Sequence, residues 1–329
     1  MIIAEIAQAH DGSLGILHSY IDALASTGID AIKFQTHIAD AESSTYEPFR
    51  IKFSYEDATR YDYWKRMEFT PEQWAGIKQH CGDKGLEFIS SPFSNMAVDM
   101  LEEIGVKRYK IGSGEITNHL LLHRVALTQK PVILSSGMST WDELDDAVNY
   151  FTSQHIDVSV LQCVSAYPAK PEQWGLNVIQ QLKDRYNVKA GYSDHSGDIY
   201  ACLAAAALGA EIFEFHAVFD KRMFGPDAPA SIAIDEIIKL TEGIHQIKKA
   251  LLHPSVKDNS GMHQMKTIFE KSLSVNQALK KGTVLEFKHL EAKKPKGHGL
   301  AAADYKDVLG RKLKSDKQQW DFLLDADIE

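Results

Sequence analysis

Charged and hydroxyl-bearing residues recur at the ends of short β-branched segments through most of the chain. They are Glu5, then His10 and Asp11; Lys33 and Gln35; Ser90 and Ser91; Lys110, Ser113 and Glu115; Ser135 and Ser136. Ser165 and Tyr167 follow, then Ser193, Asp194 and His195, then Glu214 and His216, with Asp227 in the next loop. Two lysines, several serine hydroxyls and neighbouring glycine amides suit one ligand carrying a phosphate and a carboxylate. Two histidines on adjacent segments suit a borderline divalent metal with open positions. Glu5, Glu115, Glu214 and Asp227 offer general acid–base groups or acceptors for sugar hydroxyls. Taken singly, each residue has an ordinary reading: a serine in a turn, a lysine that snorkels, a satisfied core histidine, Cys163 as packing. Together they are a different matter, because buried unpaired charge is expensive unless a ligand meets it.

The elements that must position these residues alternate. Strand-like segments lie at 2–7, 31–35, 87–91, 108–112, 132–136, 158–163, 189–193 and 211–216. Helical periodicity fills most gaps, at 15–27, 71–83, 95–104, 118–127, 140–152, 172–184, 198–208 and 233–251. Thr70-Pro71-Glu72 reads as a helix start, and Thr140 with Glu143 as a capping box. Alternating strands and helices imply parallel pairing with right-handed crossovers. Eight such units predict an α/β fold closed as a (β/α)8 TIM barrel, with strand ends and following loops as its active-site face. An open doubly wound sheet is the alternative, but no Gly-x-Gly-x-x-Gly follows the first strand. The aromatic and charged insertion at 37–70 is expected to be a lid or rim. The barrel is assigned 1–252 and a polar linker 253–270. A small β-rich domain, too small to be robust alone, is assigned 271–329.

Composition narrows the function classes. The 329 residues are 44% hydrophobic and 25% charged, ordinary for a globular protein. A formal net charge of −9 argues against a nucleic-acid binder. No apolar run approaches the ~18–20 residues of a membrane span, so no membrane partner is expected. Glu5 interrupts the apolar start of the chain, which does not read as a signal peptide. Three cysteines without metal-ligand spacing fit a reducing cytoplasm.

The ordered motifs resemble the sialic acid synthase family, that is, N-acetylneuraminate and other nonulosonic acid synthases. The resemblance runs through Glu5 and His10-x-Gly12, Lys33-Phe34-Gln35-Thr36, Ser91-Pro92-Phe93 and Tyr109-Lys110-Ile111-Gly112-Ser113-Gly114-Glu115. It continues through Ile133-Leu134-Ser135-Ser136-Gly137-Met138, Cys163-Val164-Ser165-Ala166-Tyr167-Pro168, Gly191-Tyr192-Ser193-Asp194-His195, Glu214-Phe215-His216 and Gly225-Pro226-Asp227. It implies a metal-assisted condensation of phosphoenolpyruvate with an N-acyl amino sugar such as N-acetylmannosamine, releasing phosphate by C–O cleavage.

By the same resemblance His195 and His216 would ligate Mn²⁺, with Mg²⁺ and Co²⁺ as alternatives. Lys110, Ser113, Ser135 and Ser193 would hold the phosphate, and Lys33 and Ser91 the carboxylate. Glu5, Gln35, Tyr167 and Asp227 would face the sugar, Ser165 would bind substrate, Glu115 would handle proton transfer, and Glu5 and Lys110 would join it as catalytic residues. The small domain would be an antifreeze-like (SAF) domain crossing to the other protomer of a homodimer, with Lys294 reaching the partner's site. Ala7 and Ala9 replace a usual Gly and Asn, Phe215 a basic residue, and Lys294 a usual Arg that has the planar fork Lys lacks. These departures fall on the sugar side and predict an altered acceptor. Two other readings are a Schiff-base aldolase using Lys33 or Lys110, and a non-catalytic sugar-phosphate-binding barrel.

Overall fold

A computed structural model describes residues 1–329 and divides into two compact units, Met1–His253 and Pro254–Glu329. The first is a closed barrel of eight parallel strands. These are β1 (Ile2–Glu5), β2 (Ala31–Thr36), β3 (Glu87–Pro92), β4 (Tyr109–Ile111), β5 (Val132–Ser135), β6 (Val158–Cys163), β7 (Lys189–Asp194) and β8 (Ile212–Val218). Each pairs with the next, and β8 returns to β1 from Ile2↔Phe213 to Glu5↔His216. A ninth short strand, β9 (Ile232–Ala233), pairs with β8 and had no signal in the sequence beyond two apolar residues.

Helices α1 (Leu14–Leu24), α2 (Ala39–Glu42), α3 (Arg60–Met67), α4 (Pro71–Asp83), α5 (Asn95–Ile104) and α6 (His119–Ala126) come first. They are followed by α7 (Trp141–Thr152), α8 (Val178–Tyr186), α9 (Tyr200–Ala207) and α10 (Ile234–Leu252). Reciprocal capping boxes start α4 (Thr70 with Gln73) and α7 (Thr140 with Glu143), satisfying amides that have no partner within the helix. The helix expected at 172–184 is a 3-10 turn, Pro171–Gln173, followed by α8. Gly175 lies between them at φ +61°, left-handed backbone that interrupts a right-handed helix. The insertion at 37–70 carries the short α2 and α3, the latter burying Tyr63, Trp64 and Met67.

The second unit has its own core of Leu273, Val275, Leu279, Leu285, Val308, Leu313, Leu323 and Ile328. Residues 260–269, inside the stretch read as a linker, form a 3-10 turn and α11 (His263–Phe269). Then β10 (Ser272–Val275) pairs antiparallel with β11 (Leu290–Lys293), and α12 (Tyr305–Val308) follows. Beyond this pair the unit has isolated bridges, among them Val284↔Lys312. No helix is long and apolar enough to cross a membrane.

Candidate active site

The two-residue period of a strand sets the site. Ile3, Ala31, Ile89, Ile133, Leu161 and Ile212 pack together as one apolar layer in the barrel interior. Two residues further along the same strands come Glu5, Lys33, Ser91, Ser135, Cys163 and Glu214, so all six face the same interior one layer higher. They floor a cavity of about 470 Å³. Lys110 joins them from β4, between Tyr109 and Ile111, which both pack into the core outside the barrel interior.

Four charges lock this floor. Lys33 Nζ lies 2.9 Å from Glu5 Oε2 and 3.1 Å from Glu214 Oε1, and Lys110 Nζ lies 3.2 Å from the same Glu214 oxygen. All four residues are buried. Burial opposes the charge on Glu5, yet Lys33, His216 and Lys110 outweigh it and hold that carboxyl well below its usual range. Glu214 is held down in the same way by Lys110 and Lys33. Burial also opposes the charge on Lys33, but Glu214 and Glu5 keep its pKa above the usual value. Lys110 has less help, and burial pulls its pKa down.

Three polar atoms on this floor are buried without a partner: Ser91 Oγ, Ser135 Oγ and Glu214 Oε2. Native interiors rarely leave such groups unmet, so their convergence beside two lysines marks a place for a polar ligand. Ser193 instead donates to Glu214 Oε1 at 3.0 Å. Ser113 and Ser165 sit higher, with hydroxyls 3.3 Å apart. They press against Gly137, where a Cβ would stand 2.5 Å from Ser113 Cβ and 2.8 Å from Ser165 Oγ. Glycine is therefore required for those hydroxyls to reach the cavity wall.

Above the floor stand His195 and His216, ring centroids 5.2 Å apart. His195 Nδ1 donates to the Val164 carbonyl (2.7 Å), because a carbonyl can only accept. Its Nε2 therefore carries the lone pair and accepts from Tyr167 Oη at 3.1 Å. A backbone carbonyl that fixes the tautomer is the usual support for a ligating imidazole. His216 Nε2 lies 3.4 Å from Glu5 Oε2. The pair suits a divalent cation that takes its other ligands from substrate and water. No group of three histidine, cysteine or carboxylate side chains comes together as a metal cage.

Glu115 lines the wall, where burial raises its pKa, and it accepts from Asn118 Nδ2 at 2.7 Å. Gln35 donates to Glu5 Oε1 (2.6 Å) and accepts from Gln8 (2.6 Å). His37 steadies both glutamines: its ring is stacked between Trp64 and Phe93, its Nδ1 faces Glu42 at 2.5 Å, and its Nε2 lies 3.0 Å from Gln8 Nε2.

The mouth is the part that strand-end reasoning missed. Glu42, Glu47, Phe49, Arg50, Phe53, Arg60, Tyr63 and Trp64 of the insertion all line the cavity. Their mixed aromatic and charged composition signalled a rim, but the insertion is irregular apart from the short α2 and α3, too little periodicity to say which side chains turn inward. Arg50 lies over the Tyr167 ring, 4.3 Å from its centroid, and donates to Asp227 at 2.8 Å.

The structure thus brings Glu5, Lys33, Gln35, Ser91, Lys110, Ser113, Glu115, Ser135, Ser165, Tyr167, Ser193, His195, Glu214, His216 and Asp227 to one cavity. Other strand-end residues do not join them. Ser90 is bonded to Thr36 and to the Phe34 carbonyl, Ser136 donates to Gln162, and Asp194 holds the Ser196 turn. Their odd register points them away. His10 is buried beside Phe69 and accepts from the Gly12 amide. Lys294 belongs to the second unit, with its ammonium over the Phe269 ring.

Comparison with known proteins gives this geometry relatives. The chain is 34% identical over 317 residues to N,N'-diacetyllegionaminic acid synthase of Campylobacter jejuni, covering 94% of this chain and 95% of that protein. It is 32% identical to pseudaminic acid synthase of Helicobacter pylori, covering 94% and 92%. A crystal structure of N-acetylneuraminic acid synthetase from Leptospira borgpetersenii, in complex with citrate, superposes with a TM-score of 0.71 at 33% identity. That match covers 80% of this chain and 89% of the other. Residues 20–255 match the model of the NeuB family, and with those relatives the match makes this chain a member of the NeuB family, a family of enzymes.

Proposed function

We propose that this chain condenses phosphoenolpyruvate with an open-chain N-acyl amino sugar to give a nonulosonic acid and inorganic phosphate. The observation that carries the reading is the floor, where Ser91 Oγ, Ser135 Oγ and Glu214 Oε2 stand partnerless around Lys33 and Lys110. An anion with two acidic ends would satisfy both hydroxyls and engage both lysines. Lys33 and Ser91 take its carboxylate; Lys110, Ser113, Ser135 and Ser193 take its phosphate.

The reaction balances as follows. The methylene carbon attacks the sugar aldehyde, a carbon–carbon bond forms, and the aldehyde oxygen takes a proton. Water adds to the adjacent oxocarbenium carbon and loses a proton. The tetrahedral centre then expels phosphate by breaking its C–O bond. Glu115, whose pKa burial raises above the usual carboxylate value, serves these transfers. Lys33 and Lys110 stabilise the charge that develops on the leaving group and carboxylate. Gln35, Tyr167 and Asp227 orient the acceptor over the floor. His195 and His216 would hold a divalent ion, Mn²⁺ first, which when bound supplies Lewis-acid polarisation of the aldehyde.

The Schiff-base alternative has one favouring feature, the depressed pKa of Lys110. However, Lys33 and Lys110 share one carboxylate oxygen and are better placed to bind an anion than to attack a carbonyl. The second unit we read as an SAF domain that brings Lys294 to the partner's barrel in a domain-swapped homodimer. The three buried, unpaired cysteines suit a reducing cytoplasm.

The test is phosphate release from phosphoenolpyruvate across a panel of N-acyl hexosamines with Mn²⁺. Acceptor-dependent release, lost with EDTA and restored by Mn²⁺, is expected. Release with no acceptor in the panel overturns the reading, and borohydride trapping of substrate on a lysine turns it into the aldolase. Sedimentation tests the dimer: a monomer still active when truncated near residue 265 removes the role of the second unit.

A further inference from the structure

The hydrogen bonds that hold Glu5 run outward from the floor, and the direction of each is fixed by its neighbours. Glu5 stands beside Lys33 as a carboxylate, which only accepts, so Gln35 presents its amide hydrogens to Glu5 Oε1 at 2.6 Å. Gln35 Oε1 then faces Gln8 Nε2 at 2.6 Å and His37 Nε2 at 3.2 Å. On its other side His37 meets Glu42 Oε1 with Nδ1 at 2.5 Å, and there the ring must donate. In the neutral ring Nε2 is therefore a lone pair, lying against another acceptor. Gln8 resolves that conflict. Its amide nitrogen is 3.0 Å from His37 Nε2 and carries two hydrogens, one for the ring and one for Gln35 Oε1. The opposite tautomer would satisfy Gln35 but press a ring lone pair on the Glu42 carboxylate, which is costly where both groups are buried. The ring is also held in place, stacked between Trp64 at 3.9 Å and Phe93 at 4.5 Å.

We propose that Gln8 and His37 are positioning residues that fix the Glu5 carboxylate through Gln35 when a bound anion draws Lys33 away from it. The role rests on the synthase reading, in which Glu5 is a catalytic residue. In the structure Lys33 holds Glu5 Oε2 at 2.9 Å while the amide chain holds Oε1. A ligand carboxylate that engages Lys33 competes for the same ammonium. Glu5 then depends on the chain Glu42–His37–Gln8–Gln35, which contains no group that the ligand has to displace. The links act in series, so the loss of either Gln8 or His37 frees Gln35 to the same extent.

Full-length protein should be assayed for phosphate release with Mn²⁺, varying phosphoenolpyruvate and one productive N-acyl hexosamine in turn. Gln8→Met keeps the length of the side chain without its amide, and His37→Phe keeps the stacked ring without its nitrogens. Each should lower kcat by about tenfold, with both KM values within about threefold of the wild type. The double variant should also lose about tenfold, not about a hundredfold, because a broken series cannot be broken twice. Gln8→Asn, which keeps a shorter amide, should recover part of the loss. His37→Phe leaves buried Glu42 without its donor, so if that variant does not fold, Gln8→Met and Gln8→Asn decide. A kcat within twofold of the wild type in Gln8→Met overturns the inference, and so does a hundredfold loss in the double variant. A rise in both KM values with a lowered melting temperature in Gln8→Met shows a packing role and also overturns it. All these outcomes leave the synthase reading standing, whereas no release by the wild type with any acceptor removes that reading and this role together.

Discussion

The floor and the mouth of the cavity use the same side-chain chemistry in opposite surroundings. At the floor Glu5, Lys33, Lys110 and Glu214 are buried, converge from four strands, and share oxygens at 2.9–3.2 Å. At the mouth Arg50–Asp227 and Arg60–Glu47 are partly exposed pairs carried largely by irregular chain. Removing one member of a buried cluster strands the others, whereas an exposed pair can be replaced by water or by a ligand. The floor is thus suited to fixing a reacting anion, and the mouth to sampling different acceptors without disturbing it.

The strongest way to break this contrast is Lys110→Met. It should lower phosphate release by about 10³-fold or more and destabilise the fold by about 3 kcal/mol, since Glu214 loses a buried partner. A melting curve and an activity assay check both, and a near-normal enzyme would mean that the floor is no more rigid than the mouth. Glu115→Gln should leave the melting curve in place and reduce kcat by about 10²-fold, because the wall residue exchanges protons and carries little packing.

Acidification should separate regions that share a barrel. Glu5 and Glu214 are held below the ordinary range, so their contribution to stability is full above the ordinary carboxylate pKa and is lost progressively as pH falls from there toward their depressed pKa values. His10 behaves differently. Burial first, then His37 and Arg66, lower its pKa from 6.5 to about 3. The unfolded chain therefore takes up a proton that the folded chain refuses, and stability drops as pH falls from 6.5 toward 3. By pH 5 the loss should be about 2 kcal/mol. His10→Asn should flatten that slope in denaturant titrations at a series of pH values.

The smallest effects belong to exposed or locally strained positions. Arg60→Gln should change stability by less than about 1 kcal/mol, as measured by urea unfolding. Ala7 sits at φ +42°, in left-handed territory that costs an L-residue about 1 kcal/mol. Ala7→Gly should shift the melting temperature upward slightly, with relief of strain partly offset by the added freedom of the unfolded chain.

Much of the floor was legible in the sequence because a strand alternates with period two, so a polar residue two positions after an apolar core residue shares its face. That rule places Glu5 after Ile3, Ser91 after Ile89, Ser135 after Ile133 and Glu214 after Ile212. It also explains why Ser90, Ser136 and Asp194, one position out of register, do not line the cavity. The mouth was legible only as a composition. Arg50 and Trp64 lie in chain whose facing is set by what it packs on, and His37 matters because Trp64 and Phe93 enclose it.

By itself, then, the sequence determined the strand–helix alternation, the inward set of strand-end residues and the motifs that place the chain in its family. These follow from local periodicity, caps and residue order. Tertiary structure alone decided that Lys33 and Lys110, on strands not adjacent to one another, share one oxygen of Glu214, and that three polar atoms among them are left for a ligand. It also decided that an arginine from an insertion stands beside Asp227. Closure of the barrel and packing of the insertion fix those distances, and no local rule along the chain contains them.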